Sequence, residues 1–546
     1  MKLSIFSFLF LITLNCAKGQ TVYEHHRSDI YEYLYRMANK GLVKFDDQIR
    51  PLSRVYLADC LDSLASHADQ LTKLERAELA FYQRDFSDKV AVAAMDTVST
   101  AKAGFFVKDV WNRWRGLLIS GKNFLMRVDP VLSGGGIYGS GSALRTFGSG
   151  ARLYGYAGKH WAWHFSFHDV TEEGRGIDTI RNNAATGIVG RISASKKSLN
   201  FSELRGGISY TWNNGSISIG QDYLLWGYGQ NGRAVLSDKT PTYPYLRLDY
   251  QPLRWLKFNY THAWLNSNVI DSNRSYNTGV DPFGGKRDVY VSKYMASHSL
   301  QFTPVKGLDI HLGESIVYSD GIKAGYLIPI LFFKAYDKLV SNDNINAGSN
   351  GQLFLQISSR NHLKKTHLYT TLFVDEVLVG SLLNSQKSRN QLGYTLGANT
   401  TDVGLPYLTL GAEYTRIRPF VYRNLNPAQN YTHNNYVLGD WIGSNSDRLL
   451  FFARFTPIPR LKTMLRYEYI RKGGAGNLNQ QYFQQPQPPF LFDLQYKSSI
   501  WYAEATYQWM PGFYLYTNYT HQSRNDAVTG VQSQNRRFSF GFQLGL

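Results

Sequence analysis

One glycine-rich segment holds most of the side chains that could recognise a ligand. Residues 220–229 place Asp222, Trp226 and Tyr228 among glycines, and Lys239 follows shortly afterwards. An aromatic ring can stack on a sugar, while charged side chains bond its hydroxyls. Glycines let the backbone bend where a strand leaves a sheet. The segment is therefore either a sugar-binding loop or a tightly turned loop that packs inside the molecule and narrows it.

A second stretch with similar chemistry is the polar segment 471–492. It contains Tyr482 beside Gln480 and Gln481. Amides and an aromatic ring are typical of glycan contact, although polar loops of this composition usually stay solvated without binding anything. Tyr482 is therefore a further candidate for glycan binding.

Motifs for catalysis, nucleotides and metals are weak. Gly134, Gly136 and Gly139 fit G-x-G-x-x-G, but a Gly/Ser-rich strand continues where a nucleotide site needs a helix. His164 and His168 share one face of a strand about 13 Å apart, too far to ligate one metal by themselves. The sequence contains no H-E-x-x-H, no G-x-S-x-G and no C-x-x-C pair. It therefore predicts no catalytic residue, no cofactor and no metal.

The N-terminal residues predict export. One lysine, an apolar run and small residues at the cleavage positions identify residues 1–19 as a signal peptide, cleaved before Gln20. A lipoprotein would acylate Cys16, but the preceding asparagine is too large for that motif. Cys60 is then the one cysteine left, so no internal disulfide can form and a buried thiol is expected.

Composition narrows the class of protein. No other stretch approaches the roughly 18 uninterrupted apolar residues of a membrane helix. The mean hydropathy is −0.32 although 15% of residues are aromatic, which suits a β-barrel with interfacial aromatic girdles. The net charge is +18. In an exported chain this charge favours acidic glycans or lipopolysaccharide phosphates over nucleic acid, or it merely reflects a cationic lumen and loops.

Residues 20–118 have helical spacing. Apolar positions from Ile30 to Ala38 repeat with the helical period, Ser53 is a possible cap, and Thr72 with Glu75 fits a capping box. We expect a three-helix bundle in the periplasm or in the periplasmic mouth of a barrel. The aromatic and basic stretch 104–118 could lie at the inner interface or form a linker.

Residues 119–546 alternate with period two. Short turns and long loops also alternate, and their count predicts a mainly β fold, a transmembrane antiparallel β-barrel of about 18 strands with its long loops outside the cell. Phe538, Phe540 and Phe542 form one apolar strand face, which resembles the signal read by the barrel assembly machinery. The apolar run 326–333 is expected to fold inward and plug the pore.

Residues 220–229 also carry a resemblance. The pattern Gly-Gln, then Trp-Gly-x-Gly, is similar to the Wzi family of capsule assembly proteins, which includes gliding-motility relatives of the RemB type. Looser matches are Pro51 to Arg54, Glu314 with Tyr318, Tyr326 with Pro329, and Asp375 with Glu376. The resemblance implies an 18-stranded barrel, a periplasmic helical bundle, an occluded lumen and binding of surface polysaccharide.

Together these patterns predict a non-enzymatic outer-membrane protein that binds or organises capsular polysaccharide or exopolysaccharide. Two alternatives stay open: a gliding-motility or adhesion protein of the same fold, and a passive porin-like channel. The expected partners are surface polysaccharide, the lipid bilayer with its lipopolysaccharide, and the barrel assembly machinery. In a channel, inward charges would line the path: Lys257, Arg454, Arg466 and Glu468. The candidate glycan-binding residues are Asp222, Trp226, Tyr228, Lys239 and Tyr482.

Overall fold

A computed structural model gives the fold of most of the chain. It describes residues 20–86, 88, 102–109, 114–177, 187–193, 195–279, 284–342, 344, 347–376 and 389–545. The predicted signal peptide, residues 1–19, lies outside the described residues, as do parts of the segment 104–118 and of the loops 172–200 and 375–390.

The described strands form a closed antiparallel barrel of 18 strands, as predicted. Each strand pairs with the next along the chain, and the last pairs back with the first through Phe538 and Tyr138. The predicted short turns fall between these strands, at one end of the barrel. The strands are β1 Phe124–Gly139, β2 Ser142–Ala157, β3 Trp161–Arg175, β4 Ser198–Trp212, β5 Gly215–Asp222, β6 Tyr243–Leu253, β7 Leu256–Ile270, β8 Tyr290–Val305, β9 Leu308–Ser319, β10 Asn350–Arg360, β11 Thr366–Glu376, β12 Gln391–Thr401, β13 Leu408–Ile417, β14 Ser446–Phe455, β15 Leu461–Lys472, β16 Tyr496–Met510, β17 Phe513–Asp526 and β18 Gln532–Leu544.

Side chains alternate between an apolar outer face and a polar interior. Exposed leucines and aromatics cover the outside, while amides, hydroxyls and charged groups are buried inside. This inverts the pattern of a water-soluble protein and suits a wall that faces lipid. Within the described part of the chain, no helix is long and apolar enough to cross a membrane. Examples of the outward leucines are Leu300, Leu312, Leu396 and Leu410.

The sheet begins earlier than the predicted boundary at residue 119. Strands Lys102–Lys108 and Trp114–Gly121 form a pair, here called the leading hairpin. Its second strand pairs with the first residues of β1, and β18 pairs with the later ones. The aromatic and basic stretch is therefore neither bundle nor linker over these ranges, because its alternating side chains suit a strand of the wall.

Three helices precede the sheet, as the spacing predicted. They are α1 Ile30–Asn39, α2 Arg54–Ala65 and α3 Lys73–Asp85. The Ser53 hydroxyl accepts the Tyr56 N–H at 3.1 Å, and Thr72 and Glu75 form the predicted capping box. Leucines, tyrosines and Cys60 on the facing sides form one buried core, so the helices make a bundle.

The bundle fills the barrel mouth at the end with the short turns. Arg36 of α1 bonds Asp402 in the turn after β12 at 2.7 Å, and the Tyr35 hydroxyl contacts His367 of β11. Gln20 donates to the carbonyl groups of Ala157 and Gly158 in another turn. Short turns mark the periplasmic end in barrels of this class. The helices therefore close the periplasmic mouth.

The apolar run 326–333 lies outside the barrel, so the prediction that it plugs the pore is wrong. It leads into helix α4, Phe333–Ser341. Tyr326 and Phe333 pack on Tyr260, Ile316 and Tyr318, whose side chains point outward from the wall. Apolar side chains find matching contacts on the outer face, whereas the lumen at this level is polar. A further short helix, α5 Leu478–Tyr482, lies in the loop between β15 and β16.

Candidate functional site

The glycine-rich segment 220–229 packs inside the barrel. Trp226 is 1% exposed and meets Phe354 edge to face, with ring centroids 5.8 Å apart. Residues Leu225–Trp226 pair with Ile49–Arg50 of the N-terminal segment 20–86, which contains the three helices and is here called the helical domain. Of the two interpretations, the structure supports the tightly turned loop. It does not place Trp226 where a sugar could stack on it, because this ring joins the loop to the helices.

Asp222 and Tyr228 are also occupied by internal contacts. Arg205 donates two hydrogen bonds to the Asp222 carboxylate, at 2.6 and 2.9 Å. The Tyr228 hydroxyl donates to Asp47 at 2.9 Å and accepts from Arg360 at 3.0 Å. All five residues are buried. These candidates therefore hold residues 223–242, here called the inner loop, in place and do not reach a surface.

Tyr482 links two loops at the opposite end of the barrel. Its hydroxyl accepts the Leu425 N–H at 3.1 Å and a hydrogen bond from Gln481 at 3.1 Å. Burial raises the pKa of Tyr482 to about 12, so the phenol stays protonated. The side chain is partly exposed beside the loop 416–445.

Lys239 lines an open cavity of about 590 Å³ at the end with the long loops, here called the outer cavity. The strands contribute Lys472 at the end of β15 and Arg524 near the end of β17. Trp441 comes from the loop between β13 and β14. Of the five predicted glycan-binding residues, the structure brings only Lys239 into this cavity.

The cationic groups of the outer cavity are held in position. The Lys472 ammonium donates to the carbonyl oxygens of Ile442 and Ser444, at 2.7 and 2.6 Å. The Arg524 guanidinium lies 3.9 Å from the centre of the Tyr496 ring. Burial lowers the pKa of Lys239 to about 8, against the attraction of neighbouring Asp238. Lys239 is therefore still mostly protonated at neutral pH.

Aromatic rings and amides complete the lining. Trp441 donates its indole N–H to the Asn231 carbonyl at 2.6 Å, which fixes the plane of the ring. Among the described residues, no aspartate or glutamate lines the cavity. The arrangement can attract an anion and contact both faces and hydroxyls of a sugar. The other aromatic and amide residues of the lining are Asn435, Tyr436, Tyr496, Gln522 and Asn535.

A buried ionic network lies beneath this cavity. Arg448 contacts Asp440 at 2.9 Å, Glu413 at 3.3 Å and Glu468 at 3.7 Å, and its side chain is fully buried. Burial raises the pKa of Asp440 even though Arg448 is close. The network ties the loop 416–445 to the inner wall.

The charged groups predicted to line an open channel do point inward. However, Lys257 bonds Asp46 of the helical domain, Arg454 bonds Gln230 of the inner loop at 2.7 Å, and Arg466 pairs with Glu468 at 2.8 Å. The partners of Lys257 and Arg454 belong to segments packed inside the barrel, and Glu468 of the wall accepts a hydrogen bond from Asn231 of the same inner loop at 2.9 Å. The lumen is therefore filled by the helices and two loops.

Sequence reasoning missed Trp441, Lys472 and Arg524. Lys472 lies at the end of one strand and Arg524 near the end of another. Trp441 belongs to a loop rich in asparagine and tyrosine. The unusual composition of that loop was the one available signal. Their convergence depends on the closure of the barrel and on the inward path of the loop.

Comparison with known proteins gives a fold but no family. No family model matches the chain, and no curated protein sequence matches it. Among solved structures, the Escherichia coli protein Wzi has a TM-score of 0.57 at 12% identity, over 97% of this chain and 100% of Wzi. The chain is an outer-membrane β-barrel. Wzi is described as a carbohydrate-binding β-barrel involved in group 1 capsule assembly.

Pseudomonas aeruginosa barrels of the OprD type are more distant. OccD1 (OprD) has a TM-score of 0.43 at 14% identity, over 82% of this chain and 98% of its own. OccK3 (OpdO) has a TM-score of 0.40 at 12% identity, over 77% of this chain and 95% of its own.

Proposed function

We propose that this protein binds acidic surface polysaccharide in the outer cavity and helps to hold or organise it at the cell surface, without chemical change to the polymer. The observation that carries the proposal is the grouping of three cations with aromatic rings in a cavity whose described lining lacks a carboxylate. The likeness in fold to Wzi, a barrel described as carbohydrate-binding, supports the same direction.

The chemistry of the cavity favours an acidic polymer over a neutral one. Uronic acids, pyruvate groups and phosphates carry negative charge beside many hydroxyls. Lys239 and Arg524 supply charge-assisted hydrogen bonds, and Trp441 offers a fixed ring for stacking. Asn435 and Gln522 supply the amides that pair with hydroxyls. Each of these contacts is weak alone, so the repeating units of a polymer strengthen attachment to the cell through multivalency.

The five predicted residues take different parts in this proposal. Lys239 contacts the ligand, and Tyr482 stands on a neighbouring loop where a longer polymer would pass. The other three residues do not contact the ligand in this proposal. They support the site indirectly by holding the inner loop that leads to Lys239: Asp222, Trp226 and Tyr228. Capsule assembly is the use of such binding that the family resemblance implies.

The test is binding of detergent-purified protein to the acidic polysaccharide extracted from the host surface. We expect saturable binding that Arg524→Gln or Trp441→Ala weakens by about tenfold or more. Arg287→Gln is the matched control, because Arg287 is exposed in a different long loop. Binding should also fall when the carboxyl groups of the polymer are reduced. Equal affinity of the folded cavity variants and the control would refute the proposed site.

The gliding or adhesion alternative uses the same exposed surface and differs in its cellular effect. A strain without this protein should release polysaccharide into the medium if the protein retains capsule. It should keep its capsule and lose spreading or attachment if the protein serves motility or adhesion.

A further inference from the structure

A segment of the chain is bound to the outside of the barrel wall. Residues 320–342, here called the external clasp, leave the end of β9, include α4 and return toward β10. Tyr326 and Phe333 of the clasp are fully buried against outward side chains of β7 and β9. The Tyr260 hydroxyl donates to the Tyr326 carbonyl at 2.7 Å. The clasp is therefore a packed part of the wall.

The strand register proves which face the clasp covers. Ser315 bonds Gln352, and Gln301 bonds Asp46 of the helical domain, so these side chains point into the lumen. Successive side chains of a strand point to opposite faces. Glu314 and His298, which are directly paired across β8 and β9, therefore point outward.

Glu314 lies near the middle of the membrane-spanning height. Strand β9 has 12 residues, and a transmembrane strand needs about 9–11. Six residues of β9 precede Glu314 and five follow it, from Leu308 to Ser319. An outward carboxylate at this depth is strongly unfavourable in contact with hydrocarbon. This part of the wall consequently needs a cover of its own.

The clasp supplies that cover and the missing partners. The Glu314 carboxylate accepts the backbone N–H groups of Phe333 at 2.5 Å and Lys334 at 3.4 Å, in the first turn of α4. His298 approaches it at 3.2 Å and contacts the Pro329 carbonyl at 2.7 Å through its other ring nitrogen. A helix N-terminus favours a negative charge. These contacts hold the clasp at membrane depth.

The face of the clasp that points away from the wall is apolar. Ile330 is 84% exposed and Leu339 is 78% exposed. Ile328 and Phe332 are exposed as well. Leu312, an outward leucine of the wall, lies two residues from Glu314 on the same face of β9, so the clasp lies beside the lipid-facing belt. Contiguous exposed apolar surface of this kind marks contact with a membrane or another protein.

We propose that the external clasp is immersed in the membrane and that its exposed face contacts the acyl chains of outer-leaflet lipids. The clasp packs on the wall at the depth of the hydrocarbon core and lies beside the lipid-facing belt. Both observations favour lipid acyl chains over any other contact for its exposed face. The lysines at 334 and 338 are one helical turn apart on a flank of α4, as in amphipathic helices that reach polar headgroups from an apolar bed.

The test measures what surrounds the clasp. A single cysteine is introduced as Ile330→Cys, with Cys60→Ser to remove the buried thiol, and is labelled with an environment-sensitive fluorophore in reconstituted vesicles. Lipids with a quencher on the acyl chain should quench this label as strongly as a label on Leu312→Cys in the wall. Aqueous iodide should quench only a label on Leu405→Cys, which lies exposed in a periplasmic turn. Leu339→Cys provides a second position on the clasp.

Two results would overturn the proposal. Quenching of the Ile330→Cys and Leu339→Cys labels by iodide, to the level of Leu405→Cys, would place the clasp in water. Efficient disulfide formation between two Ile330→Cys chains at low protein density would assign the patch to a second copy of this protein. In each sample, heat-modifiable electrophoretic mobility verifies that the barrel is folded.

Discussion

At the residue scale, Trp226 belongs to the core and Trp441 to the surface of the cavity. Trp226→Ala removes a fully buried ring from the joint between the inner loop and the helical domain. We expect it to lower the free energy of unfolding by about 3–5 kcal/mol. Trp441→Ala should change stability by about 1 kcal/mol or less and weaken polysaccharide binding instead. Urea unfolding in detergent separates the two, and a stable Trp226→Ala variant would contradict this assignment.

The titration of Lys239 predicts a pH dependence of binding. Burial lowers its pKa to about 8, whereas an ordinary lysine side chain has a pKa of about 10.4. Lys239 is charged below pH 8 and becomes neutral above it, so affinity for an acidic polymer should fall as the pH rises through about 8. Lys239→Arg keeps its charge and should lose less affinity between pH 7 and pH 9 than the unmodified protein does. A flat profile for the unmodified protein would exclude Lys239 from the contact.

Arg448 neutralises the charge of buried carboxylates, and removing it should destabilise the folded protein. Arg448→Met leaves Glu413 and Asp440 in the interior without their cation, which destabilises a protein by about 3–5 kcal/mol. Without Arg448, burial holds the pKa of the folded Asp440 carboxyl above its unfolded value. Stability of the variant is therefore better preserved at low pH and falls as the pH rises. Equal loss of stability at pH 5 and pH 8 would contradict this account.

At the element scale, the sequence predicted what depends on local signals. Ser53 and the Thr72–Glu75 pair identified two helix starts because caps act within one turn. Period-two alternation identified strands and turns in the same way. The apolar run 326–333 was assigned to the wrong side, since its packing depends on outward residues such as Tyr260 and Ile316 of other strands. Nothing inside the run itself distinguishes the two faces of the wall.

Docking of the helical domain depends on ion pairs with the periplasmic turns. Hydrogen bonding to Arg36, against the effect of burial, holds the pKa of Asp402 far below its usual range. Arg36→Ala should weaken docking by about 2 kcal/mol and speed hydrogen exchange in α1 to α3, with the strands unchanged. Arg76→Ala, on an exposed face of α3, is the control. Unaltered exchange in α1 would show that docking rests on other contacts.

At the scale of the whole molecule, the filled lumen predicts very low conductance. The helical domain closes one mouth, and the inner loop and the loop 416–445 fill the rest through pairs such as Arg448 with Asp440. In planar bilayers we expect no steady current from the intact protein. Replacement of residues 418–444 by a short flexible linker should produce open channels. A steady current from the intact protein would favour the passive channel over the polysaccharide-binding role.

The architecture followed from the sequence far better than the site did. Strand count and topology repeat the same local pattern along the chain. The outer cavity gathers Lys239, Trp441, Lys472 and Arg524 from distant positions, and they meet only after the ring closes and the loops fold inward. Predicting such a site requires the pairing of every strand. Candidates chosen by residue type alone included Trp226, which the fold uses for packing.

The seam of the barrel restricts how the ring can close during assembly. The leading hairpin is paired with β1 up to Val128, and β18 takes over from Leu132. Between them lies Pro130, which has no N–H to share. Strands that slip must move by two residues to keep their faces, and such a slip would drive the end of β18 into the hairpin. The hairpin thus acts as a stop against slippage of the last strand in that direction.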